Sequence, residues 1–265
     1  MNNIKAKKRV EDFTIIENKR LNKEFFILKL KSAGELPVIL PGQFAEVRID
    51  DNPTTFLRRP ISIYNVDYSG NTIELLIKIA GDGTKKLSEL KDGGILNIVY
   101  PLGNSFSKPA GTKVLLIGGG TGVAPMLILG KYMKANWGIE PLFLLGYRSD
   151  KLIIEKERFE ALGKVYITTE DGSDGYKGFV TQHPILNEPE SNFDIIYTCG
   201  PEIMMKAIAK KAKELNSACE VSLENLMGCG IGACLCCIVD TKDKGNVNTC
   251  TEGPVFNSER LKWQI

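Results

Sequence analysis

Five of the seven cysteines in this 265-residue chain lie between Cys229 and Cys250, at a spacing typical of a metal-binding loop. Four residues separate Cys229 from Cys234, two separate Cys234 from Cys237, and Cys250 follows. This is the ligand order of a plant-type [2Fe-2S] cluster, in which four thiolates hold two irons. Glycines within the run suit a loop folded around sulfide ions, because glycine adopts unusual backbone angles and adds little bulk. We therefore predict a [2Fe-2S] cluster bound by these four cysteines.

Two alternatives to this interpretation stay open. Cys236 could replace Cys237 as the third ligand, although the spacing favours Cys237. The cysteines could also hold zinc in a non-catalytic interaction module, although zinc sites usually show paired C-x2-C units with a longer interval. The remaining two cysteines, Cys199 and Cys219, are expected to be packing or cofactor-lining residues.

A glycine-rich turn, GGGTG, lies directly between the apolar segment VLLI and a predicted helix that begins at Pro125. Glycines at such a turn let a dinucleotide approach the backbone closely. A second turn follows the later predicted strand DIIYT. Because ligands of parallel sheets bind outside the carboxyl ends of the strands, both turns are expected to form one nicotinamide site. Its residues are Gly118, Gly119, Gly120, Thr121, Gly122, Cys199, Gly200 and Pro201.

Two motifs nearer the N-terminus could hold a cofactor that carries a pyrophosphate. Arg58 and Arg59 precede a predicted strand, and an arginine fork can grip a pyrophosphate. Gly83 and Thr84 belong to a turn before the helical pattern KKLSEL, where free backbone N–H groups could receive phosphate. Each motif also has an ordinary interpretation, as a surface arginine pair or as a plain turn with an N-cap.

Two patterns of apolar residues predict the secondary structure that positions these motifs. In the first part, short β-type runs between turn residues predict an antiparallel barrel, with Ile73, Leu75, Ile77 and Ile79 on one face of a strand. Further on, apolar strands alternate with helical patterns, which predicts a parallel sheet with crossover helices. From Cys219 the chain is too short for an ordinary core, so a metal centre would supply the missing stability. We expect a multidomain β and α/β protein with domains at residues 1–107, 108–218 and 219–265.

Composition narrows the possible surroundings of the protein. A hydrophobic content of 43% is ordinary for a globular protein, and a net charge of +2 gives no case for a nucleic-acid surface. Neither a run of 18 apolar residues nor an apolar signal segment occurs, so we expect no membrane span and a cytoplasmic location. Cysteines stay reduced there, which favours metal or redox chemistry over disulfides. The single histidine, His183, is expected to be structural, without a hydrolytic triad around it.

RRPISI and PGQF resemble motifs of the FAD-binding domain of the ferredoxin reductase family, and GGGTG with CGPE resembles its nicotinamide-binding motifs. The glycine turn departs from the G-x-G-x-x-G fingerprint of dehydrogenases, so the resemblance is to a reductase fold. It implies NAD as the nicotinamide cofactor, although Arg148 and Ser149 could grip the phosphate of NADP or lie at the surface. It also implies that FAD is held by Arg59, Pro60, Ile61, Ser62, Gly83 and Thr84, and by the main chain of Leu76, Ile77 and Lys78.

Together with GDGT, GGGTGVAP, CGIGACLCC and CTEGPVF, these motifs span nearly the whole chain and are similar to those of the electron-transfer subunits of dihydroorotate dehydrogenase B. The resemblance implies a catalytic partner subunit with FMN that oxidises dihydroorotate to orotate, with two copies of each subunit in the complex. Electrons would pass from FMN through the [2Fe-2S] cluster and FAD to NAD+. FAD is needed in that order because the cluster passes single electrons, whereas NAD+ accepts a hydride. The protein would then be an oxidoreductase subunit of pyrimidine biosynthesis.

A rival resemblance is to the flavin and iron–sulfur subunits of bifurcating ferredoxin:NADP reductases or hydrogenases, which contain all three segments. In one such group an aspartate replaces the first cluster cysteine, so Cys229 argues against that group. The cluster loop should lie close to the surface that meets the partner, because electrons have to cross there.

Overall fold

The first part of the chain folds as a barrel of antiparallel strands. The computed structural model describes residues 8–50, 54–187 and 191–263. The barrel strands are β1 (Arg9–Arg20), β2 (Phe25–Lys31), β3 (Phe44–Val47), β4 (Arg59–Asp67), β5 (Thr72–Lys78) and β6 (Ile95–Leu102). They close in the order β1-β2-β5-β4-β3-β6, which confirms the predicted antiparallel barrel. A short helix, α1 (Asp82–Ser88), connects β5 to β6.

Alternating apolar side chains fill the barrel, because successive residues of a strand point to opposite faces. Ile73, Leu75 and Ile77 of β5 are at most 1% exposed and share a core with Phe13 of β1. Ile79, just beyond the end of β5, packs against the same core. The predicted buried face of this strand is therefore confirmed.

A parallel sheet follows the barrel. Its strands are β7 (Val114–Gly119), β8 (Leu142–Tyr147), β9 (Val165–Thr169), β10 (Tyr176–Lys177), β11 (Ile195–Cys199) and β12 (Ala218–Ser222), in the order β10-β9-β8-β7-β11-β12. The α-helices are α2 (Val123–Tyr132), α3 (Lys156–Glu160) and α4 (Glu202–Glu214). The predicted alternation of strands and helices is confirmed. Within the described ranges, no helix is long and apolar enough to cross a bilayer.

Shorter helical turns connect these elements. A π-helical turn, Met133–Trp137, extends α2. The 3₁₀ turns are Gly120–Gly122, Asp150–Leu152, Val180–Gln182, Pro184–Leu186 and Ser258–Arg260. The first of these follows β7 directly, so the glycine-rich turn begins at the carboxyl end of a central strand.

The C-terminal segment forms a hairpin of β13 (Ile238–Thr241) and β14 (Gly245–Asn248), a short helix α5 (Thr249–Glu252) and a last strand β15 (Val255–Asn257). β15 pairs antiparallel with β12 and becomes the edge of a seven-stranded sheet. The predicted domain boundary between residues 218 and 219 falls within β12. Residues 223–254 therefore leave the sheet and return to it.

The segment of residues 223–254 packs against the barrel. Met227, Cys237 and Cys250 share a small core with Phe44 of β3 and Leu102 of β6. An independent core of ordinary size is not needed, because the barrel supplies half of the apolar wall. The loop that carries the predicted cluster ligands therefore lies on β3 and β6, and β3 is a neighbour of β4 in the barrel.

The barrel and the sheet are also held together around α3. Glu155 pairs with Lys19 of β1 at 2.7 Å and accepts a hydrogen bond from the Tyr64 hydroxyl of β4 at 3.1 Å. Arg158 pairs with Glu74 of β5 at 2.7 Å. Partly exposed ion pairs stabilise by roughly 0–1 kcal/mol each, so the apolar core that both units share contributes most of the attachment.

Candidate functional site

The loop after residue 228 wraps its backbone around the sulfur of Cys229. Gly230 and Gly232 adopt left-handed φ angles of 67° and 86°, which let the chain turn tightly. Three backbone N–H groups donate to Cys229 Sγ at 3.3 to 3.5 Å, those of Ile231, Ala233 and Cys234. Burial opposes ionisation, but these donors outweigh it and lower the pKa of Cys229 to about 6. The loop thus favours the thiolate, which is the form that binds metal.

The four predicted ligands form two pairs. Cys234 lies against Cys229, and the N–H of Cys250 donates to Cys237 Sγ at 3.4 Å. Among the residues that the structure describes, no three His, Cys, Asp or Glu side chains are grouped closely enough to hold a single metal ion. Each iron of a [2Fe-2S] cluster takes two of the four ligands, whereas a structural zinc needs four around one ion. Two pairs of cysteines therefore fit the ligand set of a [2Fe-2S] cluster.

The other three cysteines stand apart from these pairs. Cys236 is exposed, whereas Cys237 is 1% exposed and packs with Cys250, which favours Cys237 as the third ligand. Cys199 and Cys219 are buried in the parallel sheet, and burial raises the pKa of both thiols. Their surroundings are those of packing residues, with Cys199 also forming part of the second nicotinamide turn.

A buried carboxyl group lies beneath the cluster loop. Glu46 of β3 is completely buried, and neither of its carboxyl oxygens has a hydrogen-bond partner in the described part of the chain. Burial raises its pKa to about 7, against the opposing effect of the Arg58 charge. A Cβ added to Gly230 would lie 2.7 Å from the Glu46 side chain. The cluster loop therefore rests directly on β3.

A slot opens between β4 and β5, where the sequence predicts FAD. Pairing between the two strands ends at Ile63 and Leu75, so the edges of residues 59–62 and 76–78 that face each other do not pair with each other. The side chains of Leu76 and Ile77 pack in the apolar cores, so these residues could contact a ligand only through their main chain. On the facing strand, Arg59, Pro60, Ile61 and Ser62 are half-buried. A flat ring between these two edges would meet the main-chain contacts that the resemblance implies.

Arg59 lies beside the glycine turn at the start of α1. A Cβ added to Gly83 would be 3.2 Å from Arg59 Nε, and the Thr84 hydroxyl caps the helix by accepting the N–H of Gly81 at 3.2 Å. A guanidinium and a helix start both present N–H donors to an anion. Arg59 and this turn together fit the pyrophosphate of FAD.

Arg58 points elsewhere. Its guanidinium donates to the carbonyl oxygen of Glu46 at 3.2 Å and to Asn97 Oδ1 at 2.5 Å. The pair of arginines therefore divides into one that joins β3 to β6 and one, Arg59, that faces the slot.

A cavity of about 570 Å³ opens between the barrel and the carboxyl edge of the parallel sheet. This volume lies within the roughly 300–1,000 Å³ of small-molecule sites. Phe179 and Ile203 line it with side chains that are 60% and 81% exposed, which suits contact with flat rings. Its other walls include Glu24, Lys78, Gly119, Gly120, Thr168, Glu170 and Pro201. The cavity fits a dinucleotide at the predicted nicotinamide turns.

The two nicotinamide turns meet at positions where only glycine fits. A Cβ added to Gly122 would lie 2.2 Å from the carbonyl oxygen of Cys199, and one added to Gly119 would lie 2.6 Å from Met204 Sδ. Gly200 has a φ of 150°, which side chains rarely permit. The turn after β7 and the turn after β11 therefore form one continuous backbone surface.

Arg148 is engaged by an acidic partner from the barrel. Its Nη2 lies 2.5 and 2.6 Å from the two carboxylate oxygens of Glu24, in the turn between β1 and β2. Lys78 Nζ lies 3.6 Å from the same carboxylate. Arg148, which could bind the phosphate of NADP, therefore has its positive charge balanced by Glu24.

Sequence reasoning missed several residues around these sites. Glu24 and Arg148 are 124 residues apart, so no local pattern signals their contact. Glu46 stands in an ordinary strand sequence, FAEV, and its burial beneath the cluster loop has no signal in that sequence. Phe179 offered a weak signal, as an aromatic residue directly after a glycine in a loop.

His183 has no place in these sites. Its ring packs edge-on against Tyr166 and Tyr176, and its Nδ1 accepts the N–H of Ile185 at 3.1 Å. These contacts are those of the structural residue that the sequence predicts.

Two family profiles match the chain. The iron-sulfur cluster binding domain of dihydroorotate dehydrogenase B matches residues 224–262. The oxidoreductase NAD-binding domain matches residues 116–210. The first match covers the paired cysteines, and the second begins within β7 and ends within α4.

Curated relatives cover nearly the full length. The dihydroorotate dehydrogenase B (NAD(+)) electron transfer subunit of Caldanaerobacter subterraneus subsp. tengcongensis is 40% identical, over 93% of this chain and 96% of the relative. The protein of the same name from Fusobacterium nucleatum subsp. nucleatum is 37% identical, over 94% of this chain and 96% of the relative.

Solved structures share the fold. The NADH-dependent reduced ferredoxin-NADP oxidoreductase, studied for flavin-based electron bifurcation, aligns with a TM-score of 0.83 at 30% identity, over 95% of this chain and 90% of that chain. The ferredoxin reductase in carbazole 1,9a-dioxygenase aligns with a TM-score of 0.67 at 21% identity, over 79% of this chain and 65% of that chain.

Proposed function

Because the chain belongs to the family of dihydroorotate dehydrogenase B electron-transfer subunits, we propose that it passes electrons from its catalytic partner subunit through a [2Fe-2S] cluster and FAD to NAD+. It is an oxidoreductase subunit of pyrimidine biosynthesis, and its partner carries out the oxidation of dihydroorotate. When bound, the cluster supplies one-electron transfer, and FAD links that transfer to the hydride chemistry of NAD+.

One observation carries this proposal: the three sites are contiguous. The cluster loop rests on Glu46 of β3, and Glu46 pairs in register with Pro60 of β4, at the edge of the FAD slot. Across the slot, Lys78 of β5 also lines the wall of the nicotinamide cavity. A path from the cysteines to the cavity therefore runs through β3, β4, the slot and the end of β5 at Lys78.

The chain's own residues divide the work. We assign the cluster to Cys229, Cys234, Cys237 and Cys250. Arg59 and the turn at Gly83 and Thr84 would bind the pyrophosphate of FAD, while the slot orients its ring. The glycine turns after β7 and β11 would bind NAD and exclude water from the junction between the two rings.

Further features of the assembly belong to the same proposal. We place FMN in the catalytic partner and two copies of each subunit in the complex, as the family resemblance implies. We also place the complex in the cytoplasm, where thiolates that hold iron stay reduced. The division at residues 1–107, 108–218 and 219–265 describes the FAD, NAD and cluster units, although the last strand of the cluster unit completes the NAD sheet.

The first test is the visible spectrum of the anaerobically purified chain, with flavin, iron, sulfide and zinc assays on the same sample. We expect about one flavin, two irons and two sulfides per chain, because the paired cysteines hold two metal positions. Zinc without flavin would contradict the proposal. The alternative function is that of a subunit in a bifurcating reductase, and it is supported by the TM-score of 0.83 to the bifurcating oxidoreductase. Co-purification with an FMN protein that oxidises dihydroorotate would distinguish the proposed function from this alternative.

A second prediction concerns the choice of nicotinamide cofactor. Glu24→Gln should release Arg148 and raise the ratio of kcat/KM for NADPH over NADH by about tenfold, since a charge-assisted contact is worth roughly 1.5–3 kcal/mol. Dye reduction by each nucleotide measures the ratio. The double variant Glu24→Gln/Arg148→Ala should lose this gain. An equal gain in the double variant would instead assign the effect to Lys78.

A further inference from the structure

Asn104 lies just beyond the end of β6 and is bonded to the segment that joins α5 to β15. Its Nδ2 donates to the carbonyl oxygens of Glu252 and Val255, each at 2.8 Å. Its Oδ1 accepts the N–H of Val255 at 3.0 Å. Its own N–H donates to the carbonyl oxygen of Gly253 at 2.6 Å. One half-buried side chain of the barrel therefore holds residues 252–255 by both of its polar atoms.

The bonded segment directly follows a predicted cluster ligand. Cys250 lies in α5, and the N–H of Gly253 donates to the carbonyl oxygen of Thr249 at 3.1 Å, so the segment continues the turn that holds Cys250. The N–H of Cys250 in turn donates to Cys237 Sγ at 3.4 Å. A displacement of residues 252–255 would therefore move the pair formed by Cys237 and Cys250.

The barrel backbone approaches the same segment at two glycines. A Cβ added to Gly103 would lie 2.5 Å from Pro254 Cδ, and one added to Gly42 would lie 2.8 Å from Val255 Cγ2. Contacts this close leave the segment little room to slide along the barrel. The side-chain bonds of Asn104 therefore act across a junction whose backbones already touch.

A second amide connects this junction to the FAD slot. Gln43, directly before β3, is 7% exposed, and its Nε2 donates to the carbonyl oxygen of Gly103 at 3.1 Å. The carbonyl oxygen of Gln43 accepts the N–H of Ile63 in β4 at 3.2 Å. Ile63 follows Ser62, which is one of the residues predicted to hold FAD. A hydrogen-bonded connection therefore runs from the FAD strand through Gln43 and Asn104 to the cluster unit.

The two predicted ligand pairs are held in different ways. The Cys229 sulfur accepts N–H groups of its own loop, and Cys234 is exposed. Cys237 and Cys250 are at most 1% exposed and share a core with two barrel strands. The pair that Asn104 holds is therefore the pair that lies against the barrel, which also carries the FAD slot.

We propose that Asn104 is a positioning residue for electron transfer, which fixes the pair formed by Cys237 and Cys250, and with it the cluster, at a set distance from the FAD slot. Each electron that crosses oxidises the cluster by one electron and reduces the flavin by one, and the transfer slows steeply when donor and acceptor move apart. Apolar packing is non-directional, whereas three side-chain hydrogen bonds fix direction as well as distance. This inference rests on the electron route proposed above.

The test compares Asn104→Ala and Asn104→Asp with the wild type, in the full chain with its FAD and its cluster. Alanine removes all three side-chain hydrogen bonds. Aspartate keeps the shape and the acceptor for the N–H of Val255, but it places an oxygen against the carbonyl oxygens of Glu252 and Val255. Asn136→Ala, in the exposed π-helical turn after α2, controls for loss of an amide.

Anaerobic stopped-flow absorbance with NADH separates two steps, because NADH first reduces FAD and FAD then reduces the cluster. Freeze-quenched samples report the second step by EPR, and the same distance governs transfer in either direction. We expect the second step to slow by roughly tenfold in both Asn104 variants, since small displacements of reacting groups cost about one to two orders of magnitude. The first step should be unchanged, and Asn136→Ala should keep both rates. Flavin and iron contents report whether each variant is assembled.

Hydrogen exchange gives a readout that does not depend on electron transfer. In Asn104→Ala the N–H of Val255 loses its acceptor, so a peptide that covers residues 252–257 should exchange roughly fivefold faster, the factor expected for one lost hydrogen bond. Aspartate keeps this acceptor, so exchange in Asn104→Asp should be slower than in the alanine variant. Mass spectrometry of the peptide measures both values.

Three results would overturn the proposal. An unchanged second step in both variants, at full iron content, would show that apolar contacts alone set the distance. Equal slowing of both steps would show a general structural effect, and loss of iron from both variants would mean that Asn104 retains the cluster rather than sets its distance. Failure of the proposed function would be distinct, because the wild type would then show no transfer between FAD and the cluster, whereas exchange at Val255 would still report the contact.

Discussion

Replacing Cys229 with serine should abolish NAD+ reduction by dihydroorotate in the complex with the catalytic partner, while NADH-driven reduction of a flavin-directed dye persists. Cys229 accepts three backbone N–H groups and lies against Cys234, so its loss removes one ligand of a pair and the anchor of the loop. Changes next to a metal ligand already cost about 10–100-fold, so loss of a ligand should lower the coupled rate by at least roughly 100-fold. Iron content and both rates are measured on the same preparation.

Cys236→Ser is the matched control. Cys236 is exposed and directly precedes Cys237, but it belongs to neither of the two cysteine pairs. It should keep its iron and its coupled rate, whereas Cys237→Ser should behave like Cys229→Ser. The reverse result would make Cys236 the third ligand, and unchanged coupling in Cys229→Ser would contradict the electron order from cluster to FAD.

The sequence predicts these ligands well because a cluster loop is local. Spacing alone separates Cys229, Cys234 and Cys237 from the cysteines of the sheet, and the structure places the first two against each other. The same holds for the barrel strands and the glycine turns, whose patterns lie within a few residues. Elements whose stabilising contacts are close in sequence are the ones that can be read from it.

Contacts between distant segments could not be predicted. Arg58 and Arg59 read as one fork, but only the structure separates the arginine tied to Asn97 from the one beside Gly83. β15 lies within a segment read as part of the cluster unit, yet it pairs with β12 because an edge strand has unpaired backbone groups to satisfy. Charge partners and strand pairings across domains depend on folding of the whole chain.

The burial of Glu46 is another feature that the sequence does not predict. Its carboxyl group lies in a strand that alternates as a surface strand would, and a carboxylate is rarely buried without a partner. Here the loop at Gly230 packs against it, and burial raises its pKa to about 7. Burial of this kind follows from a tertiary contact, so no period or propensity could indicate it.

Gly122→Ala should weaken NADH binding by about 100-fold while FAD and iron are retained. The φ of Gly122 is −62°, an angle that alanine adopts freely, so the penalty is steric alone. The added Cβ would lie 2.2 Å from the Cys199 carbonyl oxygen and 2.5 Å from the Gly200 nitrogen, both backbone atoms that cannot rotate away. The two nicotinamide turns must therefore separate, and a misplacement of about 1 Å can cost on the order of 100-fold.

Titration of the flavin spectrum with NADH measures this effect, and Gly34→Ala is the matched control because its added Cβ meets no atom within 4 Å. Flavin content distinguishes a local change from misfolding, since the FAD slot lies in the barrel rather than between these turns. An unchanged dissociation constant in Gly122→Ala would mean that the contact between the turns after β7 and β11 does not shape the nicotinamide site. Loss restricted to NADH would instead place that site at the carboxyl edge of the parallel sheet, where the cavity lies.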